Sequence, residues 1–200
     1  MRLPRVYLIV DSAAWTQRLT ALGVRLVQLR IKDQPPELIL GEIRAARACC
    51  AAAGAQLIVN DYWQLALAAG CDFVHLGQGD LAAADIAALR RAGVRIGIST
   101  HDESELECAL AHAPDYVALG PIYPTLLKVM PWPPQGLARI GEWKRRIGGL
   151  PLVAIGGLTL ERLAGVFAAG ADVAAVVTDI VRAVQPDVRM RQWLAAAAAA

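Results

Sequence analysis

Long unbroken apolar runs are missing from this chain. Its most apolar later stretch, Leu163 to Val181, is interrupted by Asp172 and Asp179, which argues against a membrane span. Near the N-terminus, Arg2 and Arg5 precede an apolar stretch of only Val6 to Val10 before Asp11, too short for a secretory signal. Cysteine is scarce: Cys49, Cys50, Cys71 and Cys108 show no C-x-x-C spacing, so neither a zinc site nor a disulfide framework is indicated, and buried, reduced thiols are expected. Charge of one sign is also lacking. With a net charge of +2 and 19% charged residues, a polyanion-binding surface or acidic tail is excluded, and any basic residue that matters acts locally. Neither G-x-G-x-x-G nor G-x-x-x-x-G-K-[ST] occurs, which removes the main support for a dinucleotide or P-loop site. The expectation is a soluble, cytoplasmic protein without nucleic-acid or membrane partners.

What the chain does have is rhythm. Its 200 residues, 56% of them hydrophobic, suffice for one large core; residues 1–194 read as a single domain and Ala195 to Ala200 as a low-complexity tail. Eight apolar runs recur: Val6 to Val10, Leu26 to Ile31, Gln56 to Val59, Phe73 to Leu76, Val94 to Ile98, Tyr116 to Leu119, Leu152 to Ile155 and Val173 to Val177. Helical periodicity lies between them, over Leu38 to Ala53, Gln64 to Ala69, Leu81 to Arg91, Glu103 to Ala111, Leu137 to Ile147, Thr159 to Ala169 and Val188 to Ala197. Pro35-Pro36 opens one helix, Thr100 and Glu103 have capping-box spacing before another, and Gly54, Gly70, Gly93 and Gly170 follow helical runs. Apolar strands alternating with amphipathic helices predict parallel strands covered by helices, and eight units predict a closed (β/α)8 barrel.

Active sites of such barrels collect at the carboxyl ends of the strands. There this chain places polar residues. Along Gln28-Leu29-Arg30-Ile31-Lys32, alternation sends the amide and both cations to the inner face, where they require an anionic partner. Asn60-Asp61 and Asp80 follow successive strands; the two carboxylates suit Mg²⁺, which shares substrate phosphate oxygens, and read equally as helix N-caps. Gly156-Gly157 after the seventh strand and Val177-Thr178 at the eighth lie where barrels bind phosphate through backbone N–H groups; a tight turn is the plainer reading. The segment Gly120 to Gly136, with five prolines, Thr125, Lys128 and Trp132, reads as a lid carrying a cation, or as a stiff surface loop. Of the histidines, His75 and His112 read as structural, and His101 stands near the mouth without a nucleophile to serve.

In their order, these pieces resemble thiamine phosphate synthase, in the superfamily that also holds the TenI-type thiazole tautomerases. The resemblance runs from Val6 to Ile180 through Gln28-Leu29-Arg30-Ile31-Lys32, Ile58-Val59-Asn60-Asp61, His75-Leu76-Gly77-Gln78-Gly79-Asp80-Leu81, Gly97-Ile98-Ser99-Thr100-His101, Asp115 to Thr125, Val153 to Gly157 and Ala175 to Thr178. It implies a transferase joining 4-amino-5-hydroxymethyl-2-methylpyrimidine diphosphate to a thiazole phosphate. Diphosphate departs first, leaving a pyrimidine carbocation that the thiazole nitrogen captures; a carboxylated thiazole also loses CO₂. By the same resemblance Asp61 and Asp80 hold Mg²⁺, and Gln28, Arg30, Lys32, Asn60, Ser99 and Lys128 hold the pyrimidine diphosphate. Arg30, Lys32, Ser99 and Lys128 are its catalytic set, and Thr125, Gly157, Val177 and Thr178 hold the thiazole phosphate.

Two positions depart from the pattern. Ile31 stands where the family usually has Glu, and Leu127 replaces the second Thr of Thr-x-Thr-Lys in Thr125-Leu126-Leu127-Lys128. Ile31 faces outward by alternation, whereas loss of a lid hydroxyl weakens binding by about 0.5 to 1.5 kcal/mol. Two other readings remain: a tautomerase acting only on the thiazole, opposed by retention of Asn60-Asp61, Asp80 and Lys128, and a silent ligand-binding barrel, suggested by the altered lid. The partners expected are phosphorylated small molecules, with a homo-oligomer left open.

Overall fold

A computed structural model describes residues 2–125 and 132–200. Leu126, Leu127 and Lys128, with the centre of the expected lid, lie outside the described residues. The strands are β1 (Val6–Val10), β2 (Leu26–Leu29), β3 (Gln56–Asn60), β4 (Phe73–Leu76), β5 (Arg95–Thr100), β6 (Tyr116–Leu119), β7 (Leu152–Ala154) and β8 (Val173–Val176). All pair in parallel, each with the next, and β8 pairs with β1. The fold is a single-domain (β/α)8 barrel. Around it run α1 (Ala13–Thr20), α2 (Pro36–Ala53), α3 (Trp63–Ala68), α4 (Gln78–Ala83), α5 (Ile86–Arg91), α6 (Glu103–Ala111), α7 (Gly136–Ile147), α8 (Leu163–Ala168), α9 (Thr178–Val181) and α10 (Pro186–Ala199), with a 3-10 turn at Leu160–Arg162. Among the described residues no helix is long and apolar enough to cross a membrane.

Alternation along each strand builds two cores. One parity faces the helices, as Val27, Leu29 and Ile31 do; the other fills the barrel with Tyr7, Ile9, Phe73, Tyr116 and their neighbours. Amphipathic helices close the outer core. In α7, Ile140, Trp143 and Ile147 are buried at helical spacing, and the Trp143 indole donates to Thr100 Oγ1 at 3.0 Å. The floor is sealed by ions: the Arg95 guanidinium lies 4.4 Å over the Phe73 ring and bonds Gln56 and Asp72.

Several boundaries differ from expectation, each for a local reason. The helix expected over Leu81 to Arg91 is two, because Asp85 accepts from the Ala88 N–H and starts α5 afresh. Thr100 is no cap: buried at the end of β5, it donates to the Ala118 carbonyl, while Asp102 caps α6 by accepting from the Glu105 N–H. Apolar periodicity does not mark α1, whose start is held by Ser12, accepting from the Trp15 N–H, and by Glu42 of α2, accepting from the Ala13 N–H at 2.6 Å. Pro36 does open α2, and Gly54 closes it in a left-handed conformation. The thiols are not uniformly buried. Cys50 and Cys71 are, and burial pushes them up to about 12 and about 11; Cys108 is exposed on the solvent side of α6. Helix α10 carries the alanine-rich segment to Ala199, with Ala197 buried.

Candidate active site

A cavity of about 680 Å³ opens at the carboxyl ends of the strands. Gln28, Arg30, Lys32, Asn60, Asp61, Asp80, Ser99, Thr125, Gly157, Val177 and Thr178 all line it. Lys128 lies outside the described residues.

On one wall stand the ions. β2 ends at Leu29, so Arg30 and Lys32 are exposed rim residues and not desolvated inward cations; the strand direction persists only through the Arg30 N–H, which donates to the Val10 carbonyl at 2.8 Å. Lys32 Nζ is 2.5 Å from Asp61 Oδ2. Asp61 has φ 62, a left-handed conformation that Asp tolerates better than most side chains, and its N–H donates to the His75 carbonyl at 2.9 Å. Neither aspartate caps a helix. Tyr62 occupies the N-cap position of α3, and Asp80 sits inside the first turn of α4 without a side-chain cap bond. The Asp80 carboxyl is raised above the usual carboxylate range, first by burial and then by the charge of Asp61, with Lys32 opposing. The Asp61 and Asp80 carboxylates are thus near enough for their charges to act on each other, beside the single Lys32 ammonium. No group of three or more His, Cys, Asp or Glu able to hold a metal occurs among the described residues.

The opposite wall is backbone. Gly156 and Gly157 both have positive φ; a Cβ on Gly157 would fall 2.4 Å from the Pro124 carbonyl oxygen, so only glycine lets the loop after β6 cross here. That loop is tied down by the Ile122 and Tyr123 N–H groups, donating to the Ile155 and Gly156 carbonyls at 2.9 and 3.0 Å. Val177 and Thr178 begin α9. Asp179 turns away from the cavity, its carboxylate accepting from Arg189, Trp193 and the Leu160 N–H.

Beneath both walls lies a series of polar contacts. Gln28 Nε2 donates to Tyr7 Oη at 2.8 Å, Tyr7 Oη is 2.9 Å from Tyr116 Oη, Tyr116 Oη is 2.7 Å from His75 Nδ1, and His75 Nε2 is 2.8 Å from Ser99 Oγ. Burial lowers His75 to about 4, offset in part by the Asp61 charge and assisted by Arg30. It is therefore neutral at ordinary pH. At the rim His101 Nδ1 bonds Glu105 Oε2 at 2.6 Å, and its ring stacks on Trp132 at 4.0 Å. His75 is the satisfied structural histidine expected, both ring nitrogens being bonded within the protein, whereas sequence reasoning alone missed Tyr7 and Tyr116. The signal was the same inward parity that singled out Gln28, applied to β1 and β6.

A barrel with this charged rim belongs to the class of enzymes that act on phosphorylated small molecules. The thiamine monophosphate synthase family matches residues 6–180. A thiamine-phosphate synthase of Rhizobium etli is 65% identical over 99% of this chain and 97% of its own length; that of Klebsiella pneumoniae is 45% identical over 97% and 92%. In structure, the thiamine phosphate pyrophosphorylase of Pyrococcus furiosus matches with a TM-score of 0.85, covering 98% of this chain and 96% of that one at 23% identity, a likeness of fold. The chain belongs to the thiamine monophosphate synthase family, within the TenI superfamily, and is a transferase of thiamine biosynthesis that makes thiamine phosphate.

Proposed function

We propose that the two walls divide the substrates: Gln28, Arg30, Lys32, Asn60, Ser99 and Lys128 hold the pyrimidine diphosphate, and Thr125, Gly157, Val177 and Thr178 hold the thiazole phosphate. The observation that carries this reading is a cavity rim that gathers the cations Arg30 and Lys32 with the carboxylates Asp61 and Asp80. Both nitrogens of His75 are engaged within the protein, and His101 is tied to Glu105. Such a site suits a reaction that begins by ionisation. The C–O bond of the pyrimidine methylene breaks, the diphosphate takes the electron pair, and the thiazole nitrogen captures the cation; a carboxylated thiazole then loses CO₂. Arg30 and Lys32 neutralise the charge that develops on the departing diphosphate, and Ser99 donates a hydrogen bond.

Asp61 and Asp80 fit Mg²⁺, because two hard carboxylates without a third protein ligand suit an ion that keeps waters and shares phosphate oxygens. When bound it would supply further neutralisation of the diphosphate. Phosphorylated substrates, which do not cross membranes unaided, fit a cytoplasmic location. The test is to supply both substrates with Mg²⁺ and measure thiamine phosphate and pyrophosphate. The reading predicts equimolar products that vanish with EDTA. Turnover of the thiazole without coupling would support the tautomerase reading instead, and no reaction at micromolar enzyme would overturn the assignment.

A further inference from the structure

Five polar side chains cross the barrel interior in an unbroken series, and the orientation of the Gln28 amide sets its direction. Gln28 donates through Nε2, so Tyr7 accepts and keeps its buried proton paired by giving it to Tyr116. Tyr116 in turn gives its proton to His75 Nδ1. A neutral imidazole then carries its proton on Nε2 and donates it to Ser99 Oγ. Two groups are left for the cavity: the Ser99 O–H as donor, and the Gln28 carbonyl oxygen as acceptor. The opposite direction would turn lone pairs of Ser99 toward an anionic substrate. It would also turn the Gln28 amide donor toward the side of the strand that carries the Arg30 guanidinium.

We propose that Tyr116 and His75 are positioning residues, which commit Ser99 to donating into the cavity and Gln28 to accepting from it. No proton leaves its residue; the series orients hydroxyls and is not a conduit. The fold is built around it. Tyr116 does not line the cavity, yet a Cβ at residue 97 would lie 2.0 Å from the Tyr116 ring, so β5 keeps Gly97 at that inward position. The same ring stacks on His75 at 11° and meets Tyr7 edge-on at 89°, which holds both in register.

The proposal rests on Ser99 and Gln28 as contacts of the pyrimidine diphosphate, and its test separates the two readings. Tyr116→Phe keeps the ring and removes one oxygen that faces no substrate. It should lower kcat for coupling by roughly 10- to 100-fold, the usual cost of losing an outer orienting partner, while KM for the thiazole phosphate stays within about two-fold. Tyr7→Phe should behave similarly, and the double variant should be no slower than the worse single, since both break one series. Multiplicative losses, or a Tyr116→Phe enzyme with unchanged kcat, would overturn the proposal. Independently of activity, ¹⁵N NMR of substrate-free protein should show His75 protonated on Nε2 and bare on Nδ1, with mixed tautomers in Tyr116→Phe. Protonation on Nδ1 in the unsubstituted protein overturns the direction. The expected tautomer in a chain that cannot couple would retain the hydrogen-bond direction and remove the reaction assignment.

Discussion

His75 shows how one residue joins stability to the site. Burial holds it at about 4 against an ordinary value of 6.5, so the unfolded chain takes up this proton first as pH falls. The stability that His75 contributes is therefore fully present above about 6.5 and declines as pH drops toward 4. His75→Gln keeps one donor and one acceptor without titrating. Thermal unfolding between these pH values should slope less steeply in that variant, and an unchanged slope would mean that carboxylates alone set the trend. At this scale the sequence was partly legible. Gln28 could be singled out because an amide on an apolar strand is conspicuous, whereas Tyr7 and Tyr116 pass as core aromatics until their hydroxyls are seen to meet. Lys32 shows the reverse limit. Alternation sends it inward only if the strand continues, and β2 stops three residues earlier.

Among the elements, α10 is fastened to the turns after β7 and β8 by two carboxylates, Glu161, which accepts from Arg189 at 2.9 and 3.1 Å, and Asp179. Asp179 accepts from the Trp193 indole at 2.6 Å, from Arg189 at 2.9 and 3.0 Å, and from the Leu160 N–H at 3.2 Å. Asp179→Ala leaves the Trp193 and Leu160 donors unpaired, with Arg189 keeping only Glu161, and should cost about 2 to 4 kcal/mol in urea unfolding. Breaking the exposed Arg18–Asp187 pair, which ties α10 to α1, should cost under about 1 kcal/mol. Equal losses would contradict the anchor. In sequence, Asp179 reads as one more polar strand terminator, because nothing local reveals that its partners lie ten and fourteen residues on. The β-strands were legible to within one or two residues, since a short apolar run flanked by polar residues fits little besides a buried strand. The helices were harder: α1 has a weak apolar stripe and a cap completed by Glu42, far along the chain, and α9 has only four residues.

Across the whole molecule, the two ends of the barrel differ in how far their charges are balanced. Paired ions such as Arg95–Asp72 and Arg90–Asp115 seal the floor, while the mouth gathers groups whose charges are only partly balanced. Asp61 and Asp80 repel each other, and Lys32 answers one of them. That imbalance costs stability without ligand and supports the proposal that an ion and a diphosphate complete the site. The most direct measurement is turnover of Asp61→Asn and Asp80→Asn with both substrates and saturating Mg²⁺, beside their melting temperatures. Removing either charge should lower kcat at least about 100-fold through lost stabilisation of the departing diphosphate, with the fold retained. Near-normal rates in both variants would contradict the account, leaving the two aspartates as partners of Lys32 and nothing more.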